Sequence, residues 1–160
     1  MAKAGYAVET SAAVALSSGV AKTALFIMAP AQFGADLRSV AVSFDGITTT
    51  DKPVLIEVCS LTGASNVTPG TGNTNENSNI DQIYGRAITA GFTAGSACTS
   101  EPTVLSCIKQ WLLTPNGGTF DYDWPLGETP DNDVSKGFAV RLTAPTNAVN
   151  ARVWLRFERC

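Results

Sequence analysis

The sequence of 160 residues contains no histidine. Histidine is the commonest general base in enzymes and a common metal ligand, because its side chain titrates near neutral pH. Its absence excludes Ser-His-Asp and Cys-His nucleophilic sites and histidine-ligated zinc sites. Asp121 and Asp123 are expected on one strand face, but no group that would exchange protons with them is apparent. We therefore expect no catalytic residues, no bound metal and no cofactor, in a protein that is not an enzyme.

Charged side chains are scarce. Asp, Glu, Lys and Arg together make up 16% of the chain, against roughly 25% in a typical soluble domain. The formal net charge is −3, whereas a nucleic-acid-binding domain carries a basic patch. No apolar run approaches the roughly 20 residues of a membrane-spanning helix. We therefore expect neither nucleic acid nor a membrane as a partner, and the low charge favours a surface that is partly covered by other proteins.

Helical periodicity is also missing. Apolar residues alternate with small or polar ones over several short segments, which is typical of β-strands with one face buried. Strands are expected at 20–28, 37–45, 53–60 and 103–114, separated by turn signals. The pattern predicts an all-β fold, an antiparallel, jelly-roll-like β-sandwich formed by a single domain over residues 20–160. Residues 1–19 are predicted to form an extended N-terminal arm.

The clearest alternation lies between Gly137 and Glu158. With a turn at Ala144–Ala148, it predicts an antiparallel hairpin whose inner face comprises Phe138, Val140, Leu142, Val153, Leu155 and Phe157. Asn116, Gly117 and Gly118 predict a second hairpin turn further upstream.

The candidate interface residues come from the arm and from the outer strand faces. Arg and Trp are enriched where proteins meet partners. The candidates are Tyr6, Val8, Trp111, Arg152, Trp154 and Arg156. An alternative interpretation makes Trp111, Tyr122 and Trp124 a platform on which sugar rings stack, but packing in the core or at an interface is favoured for these aromatic side chains.

Several segments, in the same order along the chain, resemble a family of small β-sandwich proteins encoded by tailed bacteriophages and prophages, usually among the head-assembly genes. The segments are Gly19–Pro30, Val42–Gly46 with Pro53–Glu57, Phe120–Glu128, Arg141–Pro145 and Asn150–Glu158. They cover most of the chain outside Leu61–Glu101. The resemblance implies a virion structural protein without enzymatic activity, a capsid decoration or minor capsid protein that binds the major capsid protein and neighbouring copies and stabilises the shell.

The same resemblance implies a location at the capsid surface of the virion, after synthesis in the host bacterial cytoplasm. It also favours a homo-oligomer, with a trimer as the leading expectation, because shell decoration often sits on three-fold axes and homo-oligomers usually have closed symmetry. A protein of the neck, collar or tail is one alternative. A carbohydrate-binding β-sandwich module is the other.

The four cysteines are Cys59, Cys98, Cys107 and Cys160, and none falls on a motif of the family. No C-x-x-C pair occurs, which argues against an all-thiolate zinc site. The thiols are either idle or disulfide-bonded, within the chain or between chains. Cys98 and Cys107 are close enough in sequence to pair with each other. Cys160 follows the last strand and is expected to project past the sheet, so we predict that it bonds to another polypeptide, with Cys59 as the second candidate.

Overall fold

The computed structural model describes residues 3–46, 52–61, 74–102, 105–116, 118–145 and 149–160. These residues form an antiparallel β-sandwich, which confirms the predicted fold class. The strands are β1 (Gly5–Glu9), β2 (Val14–Leu16), β3 (Ala21–Met28), β4 (Ala35–Phe44), β5 (Val54–Leu61), β6 (Thr74–Asn75), β7 (Ile80–Tyr84), β8 (Thr93–Ser96), β9 (Leu105–Leu113), β10 (Thr119–Asp123), β11 (Asp131–Asn132), β12 (Gly137–Thr143) and β13 (Val149–Arg159). A short 3-10 helix, Asn77–Asn79, precedes β7.

The strands form two sheets. The seven-stranded sheet has the order β10-β4-β13-β1-β7, with β11 also paired to β4 and β2 also paired to β13. The six-stranded sheet has the order β6-β8-β3-β12-β5-β9. Neighbouring strands are antiparallel throughout.

The core lies between the two sheets and is built by the alternation that the sequence shows. All six side chains predicted for the inner face of the C-terminal strands are buried, with exposed fractions of 2% or less. Side chains from β3, β4 and β5 meet them, among them Leu25, Ile27, Val40, Val42, Val54, Ile56 and Val58. Strand β3 is apolar on both faces, because Phe26 and Met28 pack in a second cluster on its outer side.

The predicted C-terminal hairpin is wrong. Strand β12 pairs with β3 and β5 in the six-stranded sheet, whereas β13 pairs with β4, β1 and β2 in the seven-stranded sheet. The chain therefore crosses from one sheet to the other between them, and their inner faces meet across the core. The period of two identifies the buried face of a strand but does not say whether two consecutive strands pair or stack.

The predicted hairpin after β9 is wrong for the same reason. Strand β9 pairs with β5, and β10 pairs with β4 in the opposite sheet. Parts of both predicted turns, Gly117 and residues 146–148, lie outside the described residues.

The N-terminal segment belongs to the sandwich and is not an extended arm. Strand β1 lies between β13 and β7, and β2 pairs with the first residues of β13. Tyr6 and Val8 are each 1% exposed, so their assignment as interface residues is also wrong. The Tyr6 ring contacts the rings of Phe92 and Phe157, and its hydroxyl donates a hydrogen bond to the Ile88 carbonyl at 2.9 Å. The segment is too poor in bulky residues to form its own core, but the sheet supplies the missing partners.

A buried carboxylate fastens this segment to the chain around β6 and β8. Glu76 is fully buried. Its Oε1 accepts hydrogen bonds from the Ser11 amide and hydroxyl, both at 3.0 Å, and from the Ser96 hydroxyl at 2.5 Å. Its Oε2 accepts one from the Asn79 side-chain amide at 2.7 Å. Four donors compensate the loss of water that burial of this polar group would otherwise make costly.

Replacing Tyr6 tests whether the N-terminal segment is part of the core. We expect Tyr6→Ala to lower the free energy of unfolding by about 3–5 kcal/mol, because a buried aromatic ring is lost. Tyr6→Phe keeps the ring and removes only the hydroxyl, so it should cost about 1 kcal/mol. Urea denaturation measures both variants. If Tyr6→Ala has the same free energy of unfolding as wild type, the N-terminal segment is not part of the core.

Candidate interaction surfaces

The outer face of β13 carries three of the predicted interface residues in one row. Arg152 is exposed, and Trp154 and Arg156 are half-buried. Trp154 lies opposite Ala41 of β4, and Arg156 lies opposite Ser39 of the same strand. Because these neighbours are small, the β13 side chains are the bulkiest groups at this position of the sheet. The alternation in the sequence therefore placed this row correctly.

A cavity of about 390 Å³ opens beside the end of this row. Its lining residues are Arg38, Tyr84, Asp123, Trp124 and Arg156. The Arg156 Nη1 atom lies 3.9 Å from the Asp123 carboxylate, and its buried Nε atom has no hydrogen-bond partner within the described chain. Two guanidinium groups and one carboxylate give the cavity a polar character that suits a hydrogen-bonding side chain of a partner protein.

Most charges next to this cavity are paired within the chain. Glu158 accepts a hydrogen bond from the Tyr84 hydroxyl and lies 3.6 Å from both Lys3 Nζ and Arg38 Nε. Lys3 also bonds Asp36. Burial and the bond to Glu158 raise the pKa of Tyr84 to about 12. This cluster holds the beginning of the chain, β4 and the end of β13 together, so its charges are largely satisfied before any partner arrives.

A second candidate surface is the edge of the six-stranded sheet. Strand β9 has nine residues and pairs only with β5 among the strands that the structure describes. Its free edge carries backbone groups that no described strand uses, and such edges accept strands from other chains. Ile108 and Leu112 are 39% and 66% exposed, which adds an apolar row to the edge. Sequence reasoning missed this surface, because an edge is defined by the order of strands in the folded sheet.

The aromatic side chains at this side of the sandwich pack on one another. Trp111 of β9 lies 4.9 Å from Phe120 and 5.0 Å from Tyr122 between ring centroids, and Tyr122 lies 5.0 Å from Trp124. The Lys109 ammonium lies 4.2 Å from the Tyr122 ring centroid. Because β9 and β10 belong to opposite sheets, this cluster bridges the two edges of the sandwich. Trp124 is only 8% exposed, so the cluster matches packing better than an open platform for sugar rings, and Trp111 is a half-buried part of it.

All four cysteines are free thiols in the structure, with Cys59 and Cys98 buried and Cys107 and Cys160 exposed. Cys98 packs with the second apolar cluster, on the outer side of the six-stranded sheet. Cys107 lies opposite Cys59 in the pairing of β5 with β9. The closeness of Cys98 and Cys107 in sequence therefore did not identify the pair that the fold brings together.

Cys160 does not project past the sheet. Its backbone amide donates a hydrogen bond to the Gly34 carbonyl at 3.3 Å, and its carbonyl accepts one from the Gly34 amide at 3.0 Å. The thiol remains exposed. Burial, followed by the nearby Asp36 carboxylate, raises the pKa of Cys160. A disulfide from Cys160 to another polypeptide stays a prediction.

The described ranges contain no group of three or more His, Cys, Asp or Glu side chains that could hold a metal ion. In the same ranges, no helix has the length and apolar character needed to cross a membrane.

No family model, curated protein or solved structure matches this chain.

The buried thiols predict a loss of stability at alkaline pH. Burial raises the pKa of Cys59 and of Cys98 from 9.0 to about 12. Above about pH 9 the folded protein keeps protons that the unfolded chain releases, so the contribution of each thiol is complete below that pH and is lost as the pH rises toward 12. The free energy of unfolding should fall by up to about 1.4 kcal/mol per pH unit for each thiol.

Urea denaturation in the presence of a reductant, between about pH 8 and about pH 10.5, measures this dependence. In the double variant Cys59→Ala, Cys98→Ala, the free energy of unfolding should depend less steeply on pH than in wild type. Equal slopes for the two proteins would contradict the assignment of the loss to these thiols.

Proposed function

We propose that the protein is a structural component of a tailed-bacteriophage virion, a capsid decoration or minor capsid protein. In this role it binds the major capsid protein and neighbouring copies at the capsid surface and stabilises the shell. The ordered resemblance of five segments to virion proteins of this kind supports the proposal. A role of this kind depends on surfaces for protein contacts and needs no catalytic group, cofactor or nucleic-acid contact.

The exposed edge of β9 is the observation that carries the proposal. Its backbone groups offer hydrogen bonds to an added strand, and its exposed Ile108 and Leu112 offer two apolar contacts. A segment of the major capsid protein that adds a strand here would bury both kinds of group at once. The capsid protein is thus proposed to extend the six-stranded sheet.

The outer row of β13 supplies a second surface on the other sheet. Arg152, Trp154 and Arg156 are suited to a contact that combines an aromatic ring with charged hydrogen-bond donors. Two surfaces on opposite sheets allow one copy to bind the shell and a neighbouring copy simultaneously. The neighbouring copies are proposed to form a closed homo-oligomer, with a trimer as the expected state.

Replacing an exposed leucine of β9 tests the shell contact. We expect Leu112→Lys to lower the affinity for assembled major-capsid-protein shells by roughly tenfold or more, because a buried apolar contact is exchanged for a charge. Co-sedimentation of the purified variants with the shells measures this. Leu126→Lys is the matched control, since Leu126 is 89% exposed and lies outside β9. The Leu126→Lys variant should bind the shells with the same affinity as wild type.

Three results would contradict the proposal. The first is that wild-type protein fails to sediment with the shells, and the second is that both lysine variants bind as well as wild type. The third is a reconstruction of the particles that places the protein on the neck, collar or tail. Glycan binding without shell binding would favour the carbohydrate-binding alternative.

The oligomeric state has its own measurement. Light scattering of the purified protein at micromolar concentration should give the mass of a trimer. A monomeric mass would overturn self-association in solution and leave the shell as the only scaffold that brings copies together.

A further inference from the structure

Two cysteines form a facing pair across neighbouring strands. In the antiparallel pairing of β5 with β9, Cys59 lies directly opposite Cys107. Opposite residues in an antiparallel ladder have Cα atoms about 4.5–5.5 Å apart. A disulfide requires a separation of about 4.4–6.8 Å. Side chains of opposite residues also point to the same side of the sheet, so the register places this pair in the arrangement that a disulfide across two strands needs.

A β-bulge creates the pair. Val58 lies opposite Lys109, but the next residue of β5, Cys59, lies opposite Cys107. The register therefore skips Ile108, which is the extra residue of β9. With regular pairing Cys59 would face Ile108 and Cys107 would face Ser60. Bulges commonly redirect a side chain in this way, and here the result is two cysteines that face each other across β5 and β9.

The two thiols differ in exposure. Cys59 is fully buried, whereas Cys107 is exposed. Burial raises the pKa of Cys59 to about 12, and the nearby Cys107 thiol contributes to the shift. The Cys107 thiol donates a hydrogen bond to the Lys109 carbonyl at 3.7 Å. Cys107 is the thiol that a soluble reagent reaches, and Cys59 is the thiol that can react only with Cys107.

We propose that Cys59 and Cys107 form an intramolecular disulfide that fastens the edge strand β9 to β5. The oxidant is a low-molecular-weight disulfide such as oxidised glutathione. The Cys107 thiolate attacks one sulfur of the oxidant, forms a mixed disulfide and releases one thiol. The Cys59 thiolate then attacks the Cys107 sulfur and expels the second thiol. The protein loses two protons and two electrons, and one oxidant molecule becomes two thiols.

The bond acts at one edge of the six-stranded sheet. Strand β9 is hydrogen-bonded on one side only among the described strands, so it can detach without separating two other strands of the sheet. The bond ties it to β5, which is paired on both sides. It also closes a long loop of the chain, which restricts the unfolded state and stabilises the folded one. The inference rests on the register alone and is independent of the proposed function.

The first experiment identifies the bond. Reduced protein is incubated with oxidised glutathione at mildly alkaline pH, and its intact mass and unreduced proteolytic peptides are measured by mass spectrometry. We expect a peptide in which Cys59 is linked to Cys107. A variant with Cys98→Ala and Cys160→Ser, which leaves only this pair, should give the same peptide and an intact mass lower by two hydrogens. A bond from either cysteine to Cys98 or Cys160, or glutathione retained on Cys107 of wild-type protein, would overturn the proposal.

Single variants test the order of the two steps. Cys59→Ser should stop at a mixed disulfide with glutathione on Cys107, because the second thiol is missing. Cys107→Ser should leave Cys59 unmodified, because no soluble disulfide reaches a fully buried thiol. Glutathione bound to Cys59 in the folded Cys107→Ser protein would contradict the proposed sequence of reactions.

Thermal unfolding tests the effect on the sheet. The oxidised protein should melt about 5–15 °C higher than the reduced protein, and a reductant should reverse the shift. The same treatment should leave the melting temperature of Cys107→Ser unchanged. An oxidised wild-type protein that melts at or below the temperature of the reduced form would show that the bond does not stabilise β9.

Discussion

The two-sided pairing of β13 is the constraint on which the rest of the sandwich depends. This eleven-residue strand is bonded to β4 along one edge and to β1 and β2 along the other. Its inward side chains Val153, Leu155 and Phe157 are buried against the opposite sheet. Backbone hydrogen bonding and apolar burial therefore select the same position for the strand. The N-terminal segment gains its order from this strand, since neither β1 nor β2 has enough bulk to fold alone.

The two sheets do not close into a barrel among the described strands. At one side of the sandwich lie the edge strands β9 and β10, and this side contains a surface that is accessible to partner proteins. The chain crosses between sheets after β9, so an edge strand of each sheet lies at the aromatic cluster around Trp111 and Tyr122. The rings cover the core at this side, while the outer backbone edge of β9 remains accessible for hydrogen bonds to another chain. Burial of the aromatic residues and exposure of the edge are thus two consequences of one connection. Cys107, one of the two facing cysteines, lies on β9 itself, so the oxidation state of the pair bears on the surface that we propose for binding.

Polar side chains fasten segments that apolar packing alone would leave loose. Glu76 joins the N-terminal segment to the region of β6 and β8 through four hydrogen bonds. Arg141 and Glu57 form a two-point ion pair across β12 and β5, at 2.8 and 3.1 Å. The guanidinium and the carboxylate have partners for both of their facing atoms, which is the condition under which such partly buried charges are tolerated. The Nε atom of Arg156 has no such partner among the described residues, which distinguishes the outer row of β13 from these structural pairs.

The sequence by itself determined the longer strands β3, β4, β5, β9, β12 and β13, the side chains of the C-terminal strands that face the core, and the outer row of Arg152, Trp154 and Arg156. These follow from the alternation of side chains along a single strand, which is a local property of the backbone. Only the tertiary structure decided that β12 and β13 belong to different sheets, that Tyr6 is part of the core and that β9 is an edge. It also decided that Cys107 faces Cys59, through one bulge that no local pattern reveals. The physical reason is that strand partners and register are set by contacts between residues far apart in the chain, where burial in the whole sandwich outweighs the preference of any single segment.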